Sequence, residues 1–279
     1  MNIQYFIKMI LVGLVQGLTE PLPISSSAHM ILLENILNVN INNINFEILI
    51  NLASCLAITI FFRKKIYYLI KNTFTKYPTK YPHLNRSFLL KLIISSIPIT
   101  ITGFLLKDHL NIFYTSTFFI GAFLLITSLM LFFTCLMIER KKIMTDEINY
   151  HDSIIIGLMQ SIAIVPGISR SCTTFFSGTS RNVKLKLLFD YSFFLYIIAS
   201  FGSLVLSFFD FNLVNFLQTQ NFLVLFITFV VTFGATLLSI TIFHKIMSTK
   251  LFYLFCFYTL LLGLFLVIYN LLLLIPIHQ

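Results

Sequence analysis

The sequence predicts an all-α, polytopic membrane protein, on the strength of its composition, its hydropathy pattern and an internal repeat. Of its 279 residues 58% are apolar and only 10% charged, against about 25% charged in a soluble domain. Mean hydropathy is +0.92. Apolar stretches long enough to cross a bilayer as helices, about 20 residues each, recur along the chain. Two regions broken by Pro and Ser resemble each other, and each precedes three such stretches. The expected architecture is about six transmembrane helices plus two re-entrant helix–turn–helix segments in an inverted repeat. It forms one integral membrane domain over 1–279, with repeat one at about 1–138 and repeat two at about 150–276. So little charge excludes a disordered chain or one that coats nucleic acid.

The first element, 4–38, is apolar but interrupted by Pro21, Pro23 and the run Ser25-Ser26-Ser27. Its opening resembles a secretory signal with Lys8 at the front. No small-x-small cleavage site follows, because Glu20 and Pro21 come next, so it reads as part of the mature chain. Neither side of the break is long enough to span, which predicts a helix that enters the membrane and returns. Spans follow at about 46–62, 87–106 and 117–138. The second broken element, 153–180, is interrupted at Pro166, Gly167 and the run Ser169-Arg170-Ser171, and spans follow at about 187–209, 222–243 and 252–275. At an offset of 144 residues, Gly13-Leu14-Val15-Gln16 falls on Gly157-Leu158-Met159-Gln160, and Ile24-Ser25-Ser26-Ser27 falls on Ile168-Ser169-Arg170-Ser171. Three spans is an odd number, so the second copy is inverted relative to the first. In such repeats the functional sites lie near mid-membrane at discontinuous helices.

Charge placement sets orientation. If 39–45 faces outside, the loops 63–91, 139–152, 181–186 and 244–251 face the cytoplasm and carry 16 of the 19 Lys and Arg residues. That is a strong positive-inside bias, and it accounts for the net charge of +9 without a nucleic-acid partner. Cys55, Cys135, Cys172 and Cys256 lie scattered in apolar stretches with no CxxC pair, as buried thiols do.

An ionisable side chain at membrane depth is costly and marks function by default. Glu20, His29 and Arg170 sit in or beside the breaks, among Ser and Pro. Glu34, with Asn35 and Asn38 near it, reads as interfacial; Glu47 and Asp190 lie near segment ends, where interfacial and functional readings are equally open. Gln16 and Glu20, four apart, share a helical face. If a helix restarts after Pro23, His29 shares a face with Ser25 and Ser26 and could serve a serine nucleophile as its base. The restarted helix aims free N–H groups at the membrane interior, a place to hold an anion. Arg170 brings a permanent cation with a planar fork suited to phosphate, among the hydroxyls of Ser169, Ser171, Thr173 and Thr174. A carboxylate beside a phosphate makes best sense holding a divalent cation, so Glu20 is also a metal candidate. The substrate is then an anionic lipid headgroup, a phosphate or diphosphate.

At these residues the sequence resembles the bacterial undecaprenyl-diphosphatase, or bacitracin-resistance, family. The family's (E/Q)xxxE motif stands here as Gln16-Gly17-Leu18-Thr19-Glu20. Its PxSSxxH segment stands as Pro23-Ile24-Ser25-Ser26-Ser27-Ala28-His29, and its PGxSRS segment as Pro166-Gly167-Ile168-Ser169-Arg170-Ser171, with Thr174 after it. Weaker echoes are Phe46-Glu47, Ile97-Pro98, Lys107-Asp108 and Asp190-Tyr191-Ser192-Phe193. The resemblance implies hydrolysis of undecaprenyl diphosphate to undecaprenyl phosphate and inorganic phosphate. That reaction recycles the lipid carrier for cell-wall synthesis and confers bacitracin resistance. It implies Ser26 as nucleophile with His29 as its base, and Glu20 with Gln16 on a divalent cation, magnesium first and calcium second. It further implies Arg170, Ser169, Ser171, Thr174, Ser25 and Ser27 around the diphosphate, in a plasma-membrane protein whose site opens to the periplasm. The partners implied are the polyprenyl diphosphate and membrane lipids; no motif specifies an oligomeric state. Ala28, Cys172, Asp190 and Ile198 replace the family's usual Gly, Gly, Glu and Pro.

Two other readings compete. Inverted repeats with broken helices also build transporters, including a flippase for an anionic prenyl phosphate lipid; a serine beside a base favours an enzyme. The type-2 phosphatidic acid phosphatases need a His six residues after the Arg, where this chain has Phe176.

Overall fold

The computed structural model describes residues 3–38, 44–75, 80–106, 111–140, 144–210 and 222–274. Among these the secondary structure is helical, with an isolated parallel bridge between Thr145 and Val183. In chain order the helices are α1 Ile3–Thr19, α2 Ser26–Leu37, α3 Ile44–Phe74, α4 Arg86–Leu106, α5 Asn111–Thr115 and α6 Thr117–Arg140. They continue as α7 Tyr150–Ser161, a 3₁₀ turn Ile162–Ile164, α8 Arg170–Ser180, α9 Leu185–Asp210, α10 Phe222–Ile246 and α11 Thr249–Leu274. Six of them (α3, α4, α6, α9, α10 and α11) are long and apolar enough to cross a membrane, in line with the hydropathy. Large apolar side chains such as Phe226, Leu254 and Phe265 stand exposed on their outer faces, as lipid-facing helices require. The protein is a multi-pass membrane protein.

One boundary and one element differ from expectation. α3 runs to Phe74, beyond the apolar limit near 62, because Arg63, Lys64 and Lys65 continue the helix as good helix formers. The short α5 was not foreseen. Lys107 and Asp108 lie outside the described residues.

Several helix contacts are reciprocal between the two halves of the chain. α1 packs on α10 as α7 packs on α4; α3 meets α10 as α9 meets α4; α3 faces α9, and α6 faces α11. Close approach is made possible by small residues at corresponding places. A Cβ added at Gly13 would lie 2.9 Å from the Thr228 carbonyl oxygen, and one at Gly157 would lie 2.6 Å from that of Ser95. Hydroxyls inside these helices are satisfied locally, as when Thr228, Thr232 and Thr236 each donate to the carbonyl four residues earlier at 2.8 Å. Others stitch helix to helix: Ser95 donates to the Ser153 carbonyl at 2.6 Å and Ser239 to that of Leu18 at 2.7 Å. All four cysteines are buried and free.

The basic segments gather at one end of the bundle, where acidic partners meet them. Lys65 reaches both Asp190 oxygens at 2.6 Å, Arg181 donates to Asp152 at 2.8 Å, and Lys184 pairs with Asp146. Asp190, one of the undecided acids, is therefore a buried ion-pair partner at the bundle's basic end. Asp152 also accepts from the Asn149 amide at 3.0 Å, bracing the start of α7. At the opposite end Lys8 donates to the Leu37 carbonyl at 2.6 Å, a cation on the C-terminus of α2.

Candidate active site

Both broken regions fail as continuous helices for reasons written in their residues. In the first, Pro21 and Pro23 remove backbone donors, and the chain turns through Ser25 at φ 66° before α2 begins at Ser26. In the second, Pro166 ends the helical path and Gly167 takes φ +104°, where a Cβ would also lie 2.6 Å from that of Phe123. Ser169 then caps α8, its hydroxyl accepting from the Cys172 amide at 3.4 Å. Thr127 of α6 secures this turn from both sides, donating to the Gly167 carbonyl at 2.7 Å and accepting from the Ser169 amide at 3.1 Å.

The two breaks meet tip to tip. The Gly167 amide donates to Ser25 Oγ at 3.0 Å, and Ser171 Oγ donates to the Leu22 carbonyl at 3.4 Å. Arg170 Nη2 lies 3.2 Å from Glu20 Oε1. On the other carboxylate oxygen, Glu20 Oε2, Ser26 Oγ donates at 2.5 Å and Gln16 Nε2 at 3.0 Å. Gln16 is further tied to Asn51 Oδ1 at 3.2 Å. The Glu20 carboxylate is nearly enclosed, with 5% of its side chain exposed, whereas Arg170 keeps 34%. The guanidinium also stands 4.8 Å from the Tyr196 ring centre, a cation–π contact that holds it over the site. A cavity of about 140 Å³ reaches from Arg170 along Glu47, Asn51, Ser200 and Ser203. These residues come from the early part of α3 and the later part of α9, away from the basic end.

Most of the expected residues are thus brought together: Gln16, Glu20, Ser25, Ser26, Ser27, Ser169, Arg170 and Ser171. Ser27 shares a 3.2 Å hydroxyl contact with Ser25, and Ser171 one with Ser169. Thr174, by contrast, is buried and donates to the Arg170 carbonyl at 3.0 Å, supporting α8.

The expected Ser26–His29 hydrogen bond is absent. His29 Nδ1 lies 2.8 Å from the Ser25 carbonyl and Nε2 lies 2.6 Å from the Tyr258 hydroxyl. A carbonyl only accepts, so in the neutral ring Nδ1 carries the proton and Tyr258 donates to Nε2. The expectation rested on a regular helix from residue 24, but the left-handed Ser25 delays the helix start and turns Ser26 toward Glu20. Tyr258, Tyr196 and Asn51 had escaped notice, the tyrosines because an aromatic in an apolar span looks like any lipid-facing or core residue. The substituted Ala28 and Cys172 are both accommodated in the core, fully buried, the Cys172 thiol donating to the Thr127 carbonyl at 3.5 Å.

Around Glu20 the oxygens are its own carboxylate, the Ser26 hydroxyl and the Asn51 amide oxygen, while Gln16 turns its amide N–H groups toward both Glu20 and Asn51. Among the described residues no cluster of three His, Cys, Asp or Glu forms. One carboxylate with a few neutral oxygens is the kind of set on which a magnesium-type ion would keep waters and take substrate phosphate oxygens.

The profile of the family described as bacitracin resistance protein BacA matches residues 9–265. The chain belongs to that family. Its BacA-family relatives include "Undecaprenyl-diphosphatase 2" of Bacillus thuringiensis (strain Al Hakam), 34% identical over 93% of this chain and 96% of the relative. "Undecaprenyl-diphosphatase 1" of Bacillus licheniformis is 38% identical over 75% of this chain and 78% of its own length. "Undecaprenyl-diphosphatase" of Acholeplasma laidlawii is 34% identical over 92% and 95%. The BacA match spans both breaks and every residue placed in the site above.

Proposed function

We propose that this BacA-family protein hydrolyses undecaprenyl diphosphate to undecaprenyl phosphate and orthophosphate, returning the lipid carrier to cell-wall synthesis and depriving bacitracin of its target. The observation that carries the reading is the 2.5 Å hydrogen bond from Ser26 to a carboxylate whose other oxygen is held by Arg170. The names of the relatives support the substrate.

The terminal phosphate takes Arg170, drawing the guanidinium from Glu20 toward the cavity and neutralising charge that grows in the transition state. Ser26 Oγ passes its proton to Glu20 and bonds to the terminal phosphorus. The bridging P–O bond breaks, and its electron pair leaves with undecaprenyl phosphate. Water then bonds to phosphorus as the Ser26 Oγ–P bond breaks, Glu20 returns the serine proton to Oγ, and both hydrogens of the water leave on orthophosphate. No side chain caps α2, so its first amides are available to phosphate oxygens. His29 acts here as a positioning residue: its Nδ1–H holds the Ser25 carbonyl and with it the turn that aims Ser26. A divalent cation, magnesium before calcium, would be held by Glu20 with Gln16 and Asn51, and when bound offsets the diphosphate's charge.

The reading places the chain in the bacterial plasma membrane with the basic end in the cytoplasm and the cavity toward the periplasm, as the positive-inside bias supports. Reciprocal packing of the two halves, with breaks meeting between them, supports re-entrant segments in an inverted repeat. The test is phosphate release from undecaprenyl diphosphate by the detergent-purified protein with magnesium. Release is expected, and its absence would overturn the reading.

A further inference from the structure

The cavity beside Arg170 carries a charge pattern that a simple anion pocket would not have. Its floor is the guanidinium, already paired to Glu20 at 3.2 Å. Its wall carries a second carboxylate, Glu47, which lies one helical turn before Asn51 on the same face of α3. No described residue hydrogen-bonds or ion-pairs with the Glu47 carboxylate. Asn51 ties the wall to the site, because it accepts from Gln16, which donates in turn to Glu20. Across the cavity Ser200 and Ser203 offer only neutral hydroxyls. Glu47 in the wall and Glu20 behind Arg170 outnumber the one guanidinium and leave the space with a net negative charge. A bare phosphate entering is repelled; an anion whose charge is offset by a chelated cation is not. Adjacent phosphates of a diphosphate can chelate one divalent cation between them, and a single phosphate lacks that second arm.

We propose that Glu47 is a specificity residue, making the cavity accept a diphosphate that carries a divalent cation and refuse the metal-free or singly phosphorylated anion. The proposal rests on the diphosphatase reading and deepens it. Glu47 would act by facing the cation on the cavity side, while Arg170 faces the phosphate oxygens. The same charge pattern would favour release, since the products no longer hold the cation between two phosphates on one molecule.

The test is calorimetric titration of the full-length, detergent-purified protein with methylenediphosphonate, a ligand that cannot be hydrolysed, with magnesium and with a chelator. Wild type should bind the magnesium complex at least about tenfold more tightly than the free ligand, the scale of one added charge repulsion at close range. In Glu47→Gln the metal-free ligand should bind more tightly than to wild type, and the magnesium dependence should shrink. Glu47→Asp, which keeps the charge, should retain the wild-type dependence and controls for folding. Equal magnesium dependence in wild type and Glu47→Gln, or wild-type binding that ignores magnesium, would overturn the proposal. A farnesyl ester of the same diphosphonate separates the two sources of the headgroup: tighter binding of the lipidated ligand is expected, and equal binding would overturn the assignment to a lipid. Phosphate release from undecaprenyl diphosphate is measured in parallel, and its absence from wild type would sink the diphosphatase reading whatever the titration gives.

Discussion

The two breaks share a backbone plan and divide the chemistry. At an offset of 144 residues, Ser25 corresponds to Ser169 and Ser27 to Ser171, and both pairs of hydroxyls stand 3.2 Å apart. Between them the first break has Ser26 and the second Arg170. One break therefore presents a hydroxyl to Glu20 and the other presents a guanidinium to the same carboxylate. Their backbones differ too. Ser169 is an ordinary extended cap at φ −79°, whereas Ser25 sits at φ 66°, a region costing a non-glycine residue about 1–3 kcal/mol. The strained turn belongs to the half with Ser26, the proposed nucleophile, and the relaxed, capped turn to the half with Arg170. Gln16 has found two partners, while Oε1 of its counterpart Gln160 is buried with no described partner.

That division can be broken by substitution. Ser26→Ala should lower phosphate release roughly a thousandfold or more, as removal of a nucleophile does. In the second break Ser169→Ala should cost only about 1 kcal/mol of stability as a lost cap. Comparable losses of activity from both would end the distinction. Next in size, Arg170→Ala should raise KM about a hundredfold, with Arg170→Lys recovering part of it because the charge returns without the fork; steady-state kinetics would show an unchanged KM if the guanidinium does not meet phosphate. Tyr258→Phe should reduce kcat about tenfold or less. Nitrogen-15 spectra should show His29 keeping the Nδ1–H form while its Nε2 signal moves on loss of the Tyr258 donor, a change that a purely packing role for Tyr258 would not produce. The smallest effect on activity is expected of Gly13→Ala and Gly157→Ala. Each should lower thermal stability by about 1–3 kcal/mol through overpacking, with KM unmoved. A large effect from one alone would show that the two halves are not packed alike.

The spans were readable because hydropathy needs only local sequence, and the breaks were readable because Pro21, Pro23 and Pro166 cannot continue a helix. Glu20 and Arg170 stood out by being charged where charge is costly. The partner of Ser26 was not readable. Helical spacing puts His29 near it, and no rule of spacing announces that Ser25 will turn left-handed and redirect the hydroxyl. Tyr258 lies 229 residues from His29 and sits among aromatics in α11, so its role emerges only when α2 and α11 are brought together. Asp190 shows the opposite limit: its charge marks it out, and an ion pair with Lys65 accounts for it.

The tip-to-tip bonds also bear on biogenesis. Glu20 is inserted early but does not meet Arg170 until 150 more residues have been made, so the reactive centre cannot assemble before the second break exists. Until then the first break holds a buried carboxylate with no cation, a state that favours waiting near lipid headgroups or water over settling deep in the bilayer. Arrival of α7 and α8 would draw it in, making the second break the signal for the first to seat. Halves separated between α6 and α7 and made together would then regain activity only by finding each other, and neither alone would hold a competent site.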